Sequence, residues 1–189
     1  MKKILSTLIL FCFAFCCFGQ EHLSFKGIPI AGSKTAFCQK LKAKGYTQIY
    51  DAENVVLFSG DFAGRDATVG VVYSNDSKNV SSVGVFYDSS DEWKTLVNTY
   101  EYYKSLYTKK YGMPSITKED NPATSDSNIA LMAELNQGKV TYFSGWDVPG
   151  GEIVISIEKA SGVYKGQVMI VYRDSMSAEV QRQLDLNDI

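Results

Sequence analysis

Two short segments carry the side chains best suited to gripping a ligand. Phe58-Ser59-Gly60-Asp61-Phe62 and Phe143-Ser144-Gly145-Trp146-Asp147 each set aromatic rings and a carboxylate around a Ser-Gly step. A ring beside a carboxylate can hold a sugar or a partner protein, the ring by stacking and the acid by hydrogen bonding. The residues expected to touch a ligand or partner are therefore Phe58, Asp61, Phe62, Phe143, Trp146 and Asp147; the competing reading is core packing beside a turn.

Catalytic chemistry has less to work with. The single histidine is His22, and no H-E-x-x-H, no G-x-S-x-G and no local cysteine-histidine pairing accompanies it. A serine or cysteine hydrolase would have to use His22 from a terminus expected to be flexible, so no catalytic residue is assigned. Carboxylates paired for glycoside chemistry are set by the fold and not by local spacing. With one His, only a carboxylate calcium site is chemically open, and Asp61 to Asp66 and Asp120 to Asp126 lack the alternating acids of an EF-hand loop. Both read as turns. Gly60 and Gly64 lie between two strand-like runs without the Lys-Ser/Thr and helix of a phosphate loop. The expectation is no metal and no cofactor.

These residues must be positioned by a chain whose first part reads as an export signal. Lys2 and Lys3 precede an apolar run from Ile4 to Phe18, with Gly19 as the small residue before cleavage. The run is shorter than the roughly 20 residues a spanning helix needs, and no later stretch approaches it. Acylation at Cys16 or Cys17 is the lipid-anchored alternative. Removing residues 1–19 leaves 17 Lys and Arg against 21 Asp and Glu, a formal charge of −4 where the whole chain has −2. A mildly acidic chain without a basic cluster is poorly suited to nucleic acid, whose affinity rests on phosphate contacts. Only Cys38 remains beyond the signal, in a helical pattern beside Phe37 and Leu41, and reads as a buried thiol.

The remaining 20–189 read as one α+β domain. After an extended approach from His22 to Ile30, Ser33 to Lys44 forms a helix with Ser33 at its N-cap and Gly45 just beyond. Strand-like runs follow at Tyr46 to Tyr50, Val55 to Gly60, Ala67 to Ser74 and Val80 to Asp88, close enough for an antiparallel meander. A long helix begins at Ser89, which has capping-box spacing to Glu92, and stops at Gly112 and Pro114. It carries Tyr100, Tyr102, Tyr103, Tyr107 and Tyr111, expected to lay their rings on the sheet with hydroxyls at a wet edge. A short strand near Ile116, a helix from Asn128 to Gln137, strands at Val140 to Trp146, Glu152 to Glu158 and Gly166 to Arg173, and a last helix at about 177–184 complete the chain. In Val83 to Tyr87 and Val168 to Tyr172 alternate residues form an apolar face, yet Gly84 and Phe86 with Met169 and Val171 leave the other face partly apolar and able to bind.

An internal similarity runs at a fixed offset of 85 residues, with 8 identities in the 36 positions from 55 to 90. Val55, Phe58, Ser59, Gly60, Val69, Val83, Tyr87 and Ser90 meet Val140, Phe143, Ser144, Gly145, Val154, Val168, Tyr172 and Ser175. The pattern predicts two tandem α-β-β-β-β-like repeats, about 31–90 and 91–175. They are expected to share one antiparallel sheet of six to eight strands with helices on one face.

The signal, the run from Glu21 to Ile30, the Phe37-to-Gly45 helix and the end from Leu184 to Ile189 resemble small exported proteins of Bacteroidetes-type bacteria with no assigned activity. The tandem helix-plus-four-strand plan is similar to the β-lactamase inhibitor protein family, whose sheet holds a partner protein, although those inhibitors carry disulfides that Cys38 alone cannot form. The repeat and the absence of a catalytic constellation lead to the expectation of a non-enzymatic exported module, periplasmic or secreted, binding a protein or small ligand of the cell envelope. The alternative is an exported hydrolase or protein inhibitor.

Overall fold

The computed structural model describes residues 21–75 and 77–187; the expected export signal lies outside the described residues. The first described element is a small hairpin, β1 (Ser24–Phe25) and β2 (Ile28–Pro29), turned by Lys26 and Gly27 at φ 51° and 75°. Two successive left-handed residues give the turn a twist that matches antiparallel strands. Then come α1 (Lys34–Ala43), whose Ala36 N–H is accepted by Ser33 Oγ at 3.3 Å, and the meander β3 (Thr47–Ala52), β4 (Val55–Phe62), β5 (Arg65–Tyr73) and β6 (Val80–Phe86). The expected loop from Asp61 to Asp66 is smaller than that. The strands run through it, and only Ala63 and Gly64, both at positive φ, make the turn.

The second half holds α2 (Trp93–Tyr111), β7 (Ile116–Asp120), α3 (Asn128–Asn136), β8 (Thr141–Val148), β9 (Gly151–Lys159), β10 (Gly166–Asp174) and α4 (Ser175–Asn187). The capping box expected at Ser89 does not form. Glu92 occupies the cap position of α2 without a side-chain bond, and Ser90 instead exchanges backbone bonds with Gly166. The first helical N–H, that of Trp93, is accepted by Asn128 Oδ1 at 2.8 Å, while Asn128 Nδ2 donates to Asp91 O at 2.9 Å. A residue far along the chain therefore satisfies the first helical donor, while the Glu92 N–H that local spacing assigned to Ser89 is accepted by Ser90 Oγ at 3.0 Å.

All eight strands of the main sheet are antiparallel, in the order β3-β4-β5-β6-β10-β9-β8-β7. One face is the core. Phe58, Val69, Val71, Val83, Val85, Ile153, Ile155 and Ile170 are fully buried there. Helix α2 lays Leu96, Tyr100, Tyr103 and Tyr107 against β8, β9 and β10, and α1 buries Phe37, Cys38 and Leu41 in the same apolar cluster. Phe25 joins the halves, stacked on Phe62 of β4 at 5.4 Å and meeting Tyr172 of β10 edge-on at 5.3 Å. The α+β class and the single antiparallel sheet agree with the sequence reading.

The strand order reads alike from both edges inward, but the gap-free offset of 85 does not carry that likeness. The β4–β5 turn joins Phe62 to Arg65, and the corresponding β8–β9 turn joins Val148 to Gly151, a spacing of 86. One residue of slip in a strand exchanges its faces. Phe58 and Val69 lie in the core, whereas Phe143 and Val154 point to the opposite face; Ser59 is exposed and Ser144 wholly buried. Val83 with Val168 and Tyr87 with Tyr172 do share a face. Most of the identities behind the expected repeat thus join residues that are not structurally equivalent.

Candidate functional site

The face of the sheet opposite the core is covered by no described helix along its middle rows. The ladder fixes its rows across the strands. One runs Tyr50, Leu57, Gly70, Gly84, Val171, Val154, Gly145, Ile116; the next runs Thr47, Ser59, Thr68, Phe86, Met169, Ser156, Phe143, Lys118. Glycines occupy the first row because neighbouring side chains lie flat over them. A Cβ on Gly70 or Gly84 would stand 3.1 or 3.0 Å from the Phe86 ring, and one on Gly145 would stand 2.9 Å from Ile116 Cγ2. Large side chains covering strand glycines restore packing that the bare backbone lacks. Tyr50, Ile116 and Val72 are 56%, 54% and 38% exposed, and Leu57, Phe86, Phe143, Val154, Met169 and Val171 are half-buried. A depression of about 250 Å³ lies over Phe143, Val154, Ser156, Met169 and Val171.

Charge surrounds this apolar band. At one end of the strands the row Ser82, Arg173, Glu152, Asp147 contains an ion pair, Arg173 Nη1 to Glu152 Oε1 at 2.6 Å. At the other end stand Asp61, Asp66, Glu158 and Asp120. The rim is predominantly acidic, with Arg173 and Lys118 as its cations on these strands.

The six sequence-predicted residues divide between the two faces. Phe58, Phe62 and Trp146 belong to the core: Phe58 is fully buried, Phe62 stacks on Phe25, and Trp146 Nε1 donates to Gly112 O at 2.9 Å. Alternation along β4 and β8 turns them to the helical side of the sheet, so they cannot be contacts of the open face. Phe143, Asp147 and Asp61 are on the open face, and Asp61 Oδ1 also accepts the Gly64 N–H at 3.3 Å to close the β4–β5 turn. The two Ser-Gly segments are therefore not matching ligand edges. The open-face residues not singled out were Leu57, Val72, Val154 and Arg173; Gly84, Phe86, Met169 and Val171 had signalled a partly apolar second face.

Acid-base groups converge at one further place. His22 Nδ1 lies 2.9 Å from Asp174 Oδ2, and this wholly buried carboxylate also accepts Leu23 N–H at 2.8 Å and Ser177 N–H at 2.9 Å. His22 and Leu23 are thus fastened, where a flexible segment was expected, and Asp174 caps α4. Among the described residues no hydroxyl or thiol is hydrogen-bonded to the imidazole, and no three His, Cys, Asp or Glu side chains gather as metal ligands. Nor is any described helix long and apolar enough to cross a membrane.

Three of the five α2 tyrosines, Tyr100, Tyr103 and Tyr107, differ from expectation in where their hydroxyls go, whereas Tyr102 is exposed and Tyr111 half-buried. Tyr100 donates to Glu119 Oε1 at 3.0 Å and meets Ser144 Oγ at 2.7 Å; Tyr107 bonds the Tyr172 hydroxyl; Tyr103 stacks on Tyr87 at 4.4 Å between ring centroids. These groups are inside the protein and not at a wet edge, and burial raises each phenol above its ordinary value. No family model, curated protein or solved structure matches the chain.

Proposed function

We propose that this protein is an exported, non-enzymatic binding module that takes a protein partner on the open face of its eight-stranded sheet. The observation carrying the reading is the apolar band from Leu57 and Val72 through Phe86 and Val171 to Phe143, set inside an acidic rim. Apolar area left contiguous on a folded surface is a mark of interaction, and an apolar centre with a polar rim is the ordinary anatomy of a protein interface. The rim selects a partner with a basic border, and such complementarity speeds encounter and makes it sensitive to salt. Export rests on the n-region and apolar run of residues 1–19, which place the partner in the periplasm or outside the cell.

The test is chemical crosslinking of the purified protein in envelope extracts, with Val171→Lys and Phe143→Lys as open-face variants. The expected result is a partner with a basic surface, captured by the parent chain, lost with either variant and weakened by added salt. Turnover of a glycan or peptide library with no partner captured would overturn the reading in favour of an exported hydrolase.

A further inference from the structure

On the helical side of the sheet, between the β1–β2 hairpin and α2, lies a cavity of about 580 Å³. We propose that it is a second binding site, for a small organic anion with an aromatic body. Its size falls in the range of small-molecule sites, which are concave, mostly apolar and furnished with a few polar groups. The walls are rings: Tyr103, Tyr107 and Tyr111 from successive turns of α2, Tyr172 from β10 and Phe62 from β4. Flat walls of this kind accept a planar body by stacking or edge contact.

The polar groups of the lining favour an acceptor that carries negative charge. Lys26 and Lys110 stand at the cavity, Lys26 Nζ 5.7 Å from the Phe62 ring centre and Lys110 Nζ 4.7 Å from that of Tyr111. Among the described residues neither ammonium forms an ion pair. Glu21 is the opposing carboxylate of the lining, and His22 is engaged with Asp174. Among the described residues the hydroxyls of Tyr103 and Tyr87, whose rings stack at 4.4 Å, have no other hydrogen-bond partner, and both oxygens are sealed from solvent, so Tyr103 gives the cavity its ring and not its hydroxyl. The buried phenols are turned to one another, Tyr107 bonding the Tyr172 hydroxyl, so the charge an anionic head group would meet at the cavity is that of the two unpaired ammoniums.

Isothermal titration of the purified protein with 2-naphthoate, and separately with the cation 2-naphthylmethylammonium, tests the assignment. Naphthoate should bind about tenfold or more tighter than the cation, and the Lys26→Met/Lys110→Met double variant should lose about that factor. Both lysines are exposed, so this variant keeps the fold. Val171→Lys, on the far face of the sheet, should leave naphthoate binding unchanged. Absence of saturable binding up to about millimolar naphthoate, equal affinity for the two ions, or an unaltered double variant would each overturn the proposal. None of these outcomes depends on what the open face binds.

Discussion

Raising the pH should unfold this protein through its tyrosines. Tyr87, Tyr100, Tyr103, Tyr107 and Tyr172 are all buried, and burial lifts each phenol from its ordinary value of 10. Below pH 10 the folded and unfolded chains both keep these protons, and the contribution to stability is intact. Above it the unfolded chain releases protons that the folded chain retains, so the unfolded state is favoured and stability falls as pH rises. Each lagging phenol costs about 1.4 kcal/mol per pH unit. Five of them acting together cost up to about 7 kcal/mol per unit, against roughly 5–15 kcal/mol for a whole domain. A cooperative collapse should follow within about two units above pH 10. The assay follows phenolate absorbance and far-ultraviolet circular dichroism on the same sample: the last phenols should ionise together as the sheet is lost. Tyr103→Phe removes one lagging group and should move the midpoint upward. Complete ionisation of all 12 tyrosines with the dichroism unchanged would refute the reasoning, because the buried rings would then be open to hydroxide in the native state.

Other changes probe the supports of the two faces. Asp174→Ala leaves the Leu23 N–H and the first turn of α4 without an acceptor and should cost about 2–4 kcal/mol in urea unfolding; Asp174→Asn, with one accepting oxygen, should fall between. Gly150→Ala puts a Cβ 2.2 Å from Glu21 O at a backbone φ of +84°, so it should lower stability by at least about 1 kcal/mol and speed amide exchange at Leu23. Cys38 is buried, and burial pushes its thiol up; a thiol reagent should modify it only on unfolding, as read by mass of the labelled peptide, and rapid native labelling would contradict its packing under α1.

What could be read from the sequence was periodic or local. Ser33 caps α1, Gly112 ends α2, and the meander lies where alternation put it, because neighbouring residues decide those features. Long-range partners were hidden. Nothing near Glu92 announces that Asn128 will cap α2, and nothing near His22 announces Asp174. The offset of 85 misled for a different reason: identity counts residue types, whereas a strand sorts residues by parity, and a slip of one residue sends Phe143 to the opposite face from Phe58. The residues drawn from that match therefore divide between the two faces of the sheet. The apolar second face was foreseeable from Phe86, Met169 and Val171, but its span required the strand order, which brings β6 beside β10.

Phe58 and Phe86 separate structure from function on this sheet. Phe58 is fully buried in the core, so Phe58→Ala should cost about 3–5 kcal/mol through lost burial and a cavity. Phe86 is half-buried on the open face, where its ring lies over Gly70 and Gly84. Removing it forfeits about half of a ring's burial and uncovers two strand glycines, a loss of roughly 1–2 kcal/mol. If the open face is the binding surface, partner capture should rank the other way: Phe86→Ala should abolish it while the protein stays folded, and Phe58→Ala should reduce it only in proportion to the folded fraction. Urea unfolding and crosslinking yield, measured on the same two variants, give both rankings. An equal stability loss for the two would mean that Phe86 is a structural cover for the glycine row, and the open face would then lose its central contact.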